Sequence, residues 1–203
     1  MFSERRTNMS LIILARSMDE TGNWIMGGDK RIVTSDGFIM SDNYTKVRKL
    51  VTNNETLLIG LTGSLGCIDR ILRWIDWLSG QTNFKNIDNI EERIIHELKK
   101  ASMDSGDNMH GHALIVSKDG YPREISLHEK WELEFKPSES CSIYNADNVY
   151  AIGRGDEMAI GIMYSTLYHQ SDVERTMADA FRTVSKLISS VSENIDIIST
   201  KVE

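Results

Sequence analysis

The order in which two hydrophobic periods succeed one another constrains this chain more than any single motif. Short apolar runs of strand length come first, at Ser10 to Arg16, Trp24 to Gly28, Ile32 to Thr34, Phe38 to Met40, Lys46 to Val51 and Thr56 to Leu61. The period then changes. Leu65, Ile68, Ile71, Leu72, Ile75 and Leu78 fall at helical spacing, and Ile87, Ile90, Ile94, Ile95 and Leu98 repeat it. Strand patterns return at Ala113 to Val116, Arg123 to Leu127, Trp131 to Phe135 and Val149 to Ile152. A helix is predicted from about Asp156 to Tyr168, and another carries Met177, Ala180, Phe181, Val184, Leu187, Ile188 and Val191. Ser171-Asp172-Val173-Glu174 reads as the capping box of that last helix, and Ile195 to Ile198 closes the chain as a strand.

Grouped runs of this kind suit an α+β fold better than alternating βαβ units with a parallel sheet. Two antiparallel sheets placed face to face, each with a helical layer outside it, would bury every apolar face named above. Turn chemistry at Asp19-Glu20-Thr21-Gly22-Asn23 and at Ser35-Asp36-Gly37 makes hairpins of the flanking strands.

Composition narrows the class. With 203 residues, 40% hydrophobic and 26% charged, the expectation is one soluble globular domain over 10–203. A net charge of −7 with no basic run argues against nucleic-acid binding by bulk electrostatics. No apolar run reaches membrane-spanning length, and no charged-then-apolar leader is present. Two cysteines, Cys67 and Cys141, far apart and not in metal-like spacing, point to a reducing compartment and hence the cytoplasm. Residues 1–9 are polar and read as a leader, a propeptide or a misplaced start.

Chemistry enters at Met9-Ser10. If residues 1–9 are absent from the working protein, Ser10 carries a free α-amino group. Hydroxyl and amine on one residue form a self-contained nucleophile and base, because such an amine titrates near ~7.7–8.0. The plain alternative is a Met-Ser pair with no chemical meaning. Asp29 ends a strand after two glycines, where a carboxylate often only forms a turn. Lys46 alone is an ordinary solvated strand residue. Paired, a Lys held protonated by an Asp would set a positive charge beside Ser10 and favour ionisation of its hydroxyl. Gly60-Leu61-Thr62-Gly63-Ser64 is a tight strand-to-helix turn in which the unobstructed N–H of Gly63 can donate to a developing oxyanion. Elsewhere, His110-Gly111-His112 offers two imidazoles without a third ligand, Cys67 stands near a helix start, and Trp74 and Trp77 suit core or interface. No metal or organic cofactor is indicated.

Gly27-Gly28-Asp29, Lys46-Val47-Arg48-Lys49-Leu50, Gly60-Leu61-Thr62-Gly63, Tyr150-Ala151-Ile152-Gly153-Arg154-Gly155 and Ala178-Asp179-Ala180 together resemble the proteasome β-subunit and HslV peptidase family of N-terminal nucleophile hydrolases. The similarity runs in the same order from Ser10 to Thr200, with a slightly longer first hairpin. It implies a four-layer αββα sandwich and a threonine-type endopeptidase in which Ser10 is nucleophile and base. It also implies that Asp29 holds Lys46, that Lys46 tunes Ser10, and that Gly63 donates to the oxyanion. Peptides or unfolded proteins would be the substrates, inside a homo-oligomeric ring fed by an ATP-dependent unfoldase. Three departures stand out: Ser in place of the usual Thr, Arg154 where the family carries a serine, and Asn194 nearest to its accessory aspartate. They leave a catalytically inactive subunit as the alternative, and an amidohydrolase of small amides as a third reading.

Overall fold

A computed structural model describes residues 10–34, 37–53, 55–63, 65–86, 96, 111–118, 120–127, 135–137, 148–167 and 172–201. In chain order its strands are β1 (Leu11–Arg16), β2 (Trp24–Asp29), β3 (Ile32–Val33), β4 (Ile39–Ser41), β5 (Val47–Val51), β6 (Thr56–Gly63), β7 (Gly111–Ser117), β8 (Arg123–Leu127), β9 (Phe135–Pro137), β10 (Val149–Gly153) and β11 (Ile195–Ser199). Among the described residues the helices are α1 (Leu65–Ser79), α2 (Asp156–Leu167) and α3 (Val173–Leu187). The chain is thus α+β. Its strands form one sheet in the order β10-β1-β2-β11, a second in the order β5-β6-β7-β8-β9, and the hairpin β3-β4, and the strand pairs are antiparallel.

Alternation along the strands explains how the sheets are used. On β1, Ile12 and Leu14 join Met26, Val47, Leu58, Leu114, Val116 and Ile152 in an apolar cluster drawn from both sheets. The intervening Leu11, Ile13 and Ala15 pack instead with Ala159 and Met163 of α2 and with Met177, Ala180, Phe181 and Val184 of α3. Likewise Leu58 of β6 turns to the shared cluster, while Leu57, Ile59 and Leu61 meet Ile68, Ile71, Leu72, Ile75 and Leu78 of α1. Continuous apolar runs are therefore strands covered on both faces, as expected of such runs. Each fully buried aliphatic side chain contributes about 1.5–3 kcal/mol relative to exposure.

Glycines set the close approaches. A Cβ on Gly27 would run into the Met177 sulfur and the Phe181 ring of α3, and one on Gly28 would reach Val47 Cγ1 at 2.8 Å and Ile12 Cδ1 at 3.0 Å. The pair thus lets α3 seat on one face of β2 and the second sheet on the other.

Several expectations shift in detail. β6 runs on to Gly63 rather than stopping at Leu61, because Leu61 and Gly63 still have Ala113 and Gly111 across from them on β7. α3 ends at Leu187: Ile188 is extended, its N–H closes onto the Val184 carbonyl, and Val191 is buried in the following loop rather than on the helix. The cap of α3 is Asp172, whose carboxylate accepts the Arg175 N–H at 3.0 Å, one residue later than a box built on Ser171 would require. Trp74 packs against the α1 cluster, whereas Trp77 is exposed. The helix expected over Ile87 to Leu98, residues 1–9, Trp131 to Glu134, Ser64, His110, Cys141 and Ser171 lie outside the described residues, His96 excepted. Among the described residues no helix is long and apolar enough to cross a membrane.

Candidate active site

Ser10 enters β1 from the same end of the sheet at which Asp29 leaves β2, because the two strands are antiparallel with Ile12 opposite Gly28. The Ser10 carbonyl accepts the Arg154 N–H at 2.8 Å, and Gly153 stands opposite Leu11 on β10. Gly153 has φ +106°, and any Cβ there would collide with the Ser10 carbonyl oxygen. Only glycine combines that backbone conformation with so close an approach. Ser10 is buried, with 2% exposure.

Directly after Ser10, the Leu11 N–H donates to Asp29 Oδ1 at 2.7 Å. The other oxygen, Oδ2, accepts the Arg31 N–H at 3.0 Å. Lys46 Nζ lies 3.2 Å from Oδ1 and 3.1 Å from Oδ2, and also donates to the Arg31 carbonyl. Asp29 has 0% exposure and Lys46 1%. A lysine rarely buries its whole length unless paired. Its backbone helps to explain how it does so here: the Lys46 carbonyl accepts the Leu61 N–H at 3.0 Å, which fixes the residue at the mouth of β5.

Burial pushes the two groups of this pair toward neutrality. It lifts the Asp29 carboxyl above the usual carboxylate range and draws the Lys46 ammonium below the usual lysine range. The attraction between them works against both shifts. Two backbone N–H donors on the carboxylate add to that opposition on the Asp29 side. The result is a lysine whose charge depends on Asp29 rather than on water.

Gly63 closes β6 with φ +132°. Because N–H groups two residues apart point to the same edge of a strand, and Leu61 donates to Lys46, the Gly63 N–H falls on the Lys46 edge, beyond the last rung of β5. β6 also borders Ser10 from above, since a Cβ on Gly153 would lie 3.1 Å from Thr62 Cγ2. Ser10, Asp29, Lys46 and Gly63, far apart in sequence, thus gather at one end of the paired sheets.

Sequence reasoning missed three contributors. Arg31 supports the Asp29 and Lys46 pair through its backbone, and its guanidinium grips the Asp42 carboxylate at 2.6 and 3.0 Å and the carbonyls of Ser189 and Val191 at 2.7 and 3.2 Å. The Arg31 hydrogen bond holds the Asp42 carboxyl below the usual range. A basic residue two places after Asp29 was the available signal. Thr62 and Asp42 carried none.

The departing residues have defined places. Arg154 acts on Ser10 through its backbone, and its side chain is exposed. Asn194 Nδ2 donates to the Asp42 carbonyl at 2.7 Å, and the Asn194 carbonyl accepts the Lys30 N–H at 3.0 Å, so this residue ties the loop after α3 to the Arg31 region. Of the other candidates, His112 pairs with Glu124 at 3.0 Å.

No protein-family model and no curated protein sequence matches the chain. Solved structures do. The chain is similar to eukaryotic HslV from Trypanosoma brucei, with 17% identity, 93% of this chain and 98% of that one covered, and a TM-score of 0.62. Anbu from Hyphomicrobium sp. strain MC1 matches with 16% identity over 93% of this chain and 81% of that one, at a TM-score of 0.64. A helical assembly of the Anbu complex from Pseudomonas aeruginosa matches with 12% identity over 93% and 80%, at 0.63. At such identities the likeness establishes a shared fold: the chain has the HslV-like, proteasome-type fold.

Proposed function

We propose that this chain is a proteasome-like peptidase of the N-terminal nucleophile type, a single domain from residue 10 onward built as a four-layer αββα sandwich. In this reading residues 1–9 are removed and Ser10 becomes the first residue. The observation that carries it is the Asp29 carboxylate, shared between the amide next to Ser10 and a fully buried Lys46 ammonium. A structural role alone gives little reason to bury a charge pair beside a strand terminus, since an apolar pair of like size is often no less stable.

The steps follow from the positions. Ser10 Oγ attacks the carbonyl carbon of a peptide bond, and its own amine takes the hydroxyl proton. Lys46, charged through Asp29, favours the ionised hydroxyl as the proton leaves. The Gly63 N–H receives the negative oxygen of the tetrahedral adduct. Collapse breaks the C–N bond, the ammonium returns its proton to the leaving amine, and an ester on Ser10 remains for water to hydrolyse.

A homo-oligomer is part of the proposal. Phe38, Ile39 and Met40 are three consecutive exposed apolar residues on the β3-β4 hairpin, a run that a lone soluble chain gains nothing by displaying. Enclosure of the site in a cytoplasmic chamber, with an ATP-dependent unfoldase delivering unfolded protein, completes the reading.

Arg154 and Asn194 favour a second reading, an inactive subunit with a structural role. Neither supplies the hydroxyl or carboxylate that the resemblance would place near the amine. Intact mass and peptide hydrolysis separate the two. A chain starting at Ser10 that cleaves peptides, and loses cleavage in Ser10→Ala, supports the peptidase. A stable uncut chain without activity supports the alternative, and cleavage persisting in Ser10→Ala would sink the assignment of the nucleophile.

A further inference from the structure

Thr62 is buried to 1% exposure on β6, and its Oγ1 has no hydrogen-bond partner. Buried hydroxyls are almost always paired, so an orphan calls for a reason. Its position supplies one. Thr62 lies on the face of β6 that carries Leu58 and Gly60, the face turned to the first sheet. Its Cγ2 and the Ser10 carbonyl both border the small space over Gly153. Among the described residues, the two other buried side-chain oxygens without a partner, Ser190 Oγ and Asp196 Oδ2, belong to the loop after α3 and to β11, which β2 separates from β1.

Before cleavage Ser10 has one peptide N–H; afterwards it has an amine that carries up to three donors. The nearby acceptors are largely committed. Asp29 already takes N–H groups from Leu11, Arg31 and Lys46, and the Ser10 carbonyl takes that of Arg154. Resting on the peptidase reading above, we propose that the Thr62 hydroxyl is a positioning residue for the freed Ser10 amine. It accepts one amine N–H and so turns the lone pair toward Ser10 Oγ.

The sign of the effect on the amine is set by which form is stabilised. An acceptor favours the ammonium over the neutral amine and raises its titration point. Removing it lowers that point. The other titratable groups around this end are Lys46 and Asp29, His112 directly across from Thr62 on β7, Glu124 bound to His112, and Asp156 at the start of α2 beside Glu124. All of them persist in a Thr62 variant.

The test compares full-length wild type, Thr62→Val, Thr62→Ser and Ser10→Ala, with rates taken per chain cut before Ser10 as counted by intact mass. Thr62→Val should lose about tenfold or more in kcat with KM little changed. Its acid limb of kcat/KM should move to lower pH, and Thr62→Ser should restore both. An orphan hydroxyl with only a structural place behaves otherwise, because an apolar group of the same shape removes a desolvated polar atom. Thr62→Val with a raised melting temperature, unchanged kcat and an unmoved pH profile would overturn the proposal while leaving the peptidase reading intact. An uncut, inactive wild type would overturn the reading itself, and this inference with it.

Discussion

Lys46 meets Asp29 through both carboxylate oxygens, at 3.2 and 3.1 Å, where neither side chain reaches solvent. Removing one partner strands the other as an uncompensated buried charge. Asp29→Ala and Lys46→Met should each destabilise the chain by about 3–5 kcal/mol in urea unfolding. The double variant should lose clearly less than the two losses combined. Simple additivity would show that the pair is not coupled. All three should lack peptidase activity.

Gly153 tests the entry to β1. Gly153→Ala forces a side chain into a left-handed conformation and against the Ser10 carbonyl. Strain of this kind is worth about 1–3 kcal/mol, and relieving the collision moves Ser10 as well. The melting temperature should fall and peptide cleavage should be lost. Gly37, whose φ is +86° with open space around it, is the control: Gly37→Ala should destabilise mildly and leave cleavage alone.

The acid limb of stability should carry a component from Asp42. Arg31 depresses its folded titration below the unfolded value, so the contribution is present above about pH 4 and is lost as pH falls through the lower folded value. Because Asp42 is 43% exposed, the size should stay below about 1 kcal/mol. Urea midpoints of wild type and Asp42→Asn from pH 2 to 7 should differ at neutral pH and converge in acid. A constant difference would assign the effect to something other than ionisation.

Tyr44 sets the alkaline side. Burial and the Asp69 carboxylate, which accepts its hydroxyl at 3.2 Å, push it up to about 12. Its neutral form is favoured by folding, so this contribution holds below the unfolded value near ~10 and declines as pH rises toward the folded one. Tyrosinate absorbance should show one group titrating late that disappears in Tyr44→Phe and moves earlier in Asp69→Asn.

Much of the fold was legible because period and burial coincide. The α1 residues Ile68, Ile71, Leu72, Ile75 and Leu78 were marked by spacing and are all buried. Strand runs such as Leu11 to Ala15 read as covered on both faces, and they are. The end of α3 was not legible, since Ile188 and Val191 continue the apolar rhythm while the backbone turns extended. At the site, Asp29 and Lys46 could be paired from the resemblance, but Arg31 could not. Its role depends on the reach of a long side chain to Asp42 and to the loop after α3. Thr62 escaped notice because an unpaired hydroxyl has no sequence signature.

The described backbone pairing of β1 to its neighbours on both sides begins at Leu11 and Ile12, and the Ser10 carbonyl is tied to Arg154. Those attachments all lie downstream of the Met9-Ser10 bond. In the proposed maturation, severing that bond would leave every described rung of the sheet in place. On that proposal the cut would meet a sheet whose described pairing is already complete, and its chemical yield would be one nitrogen free to take up or give a proton.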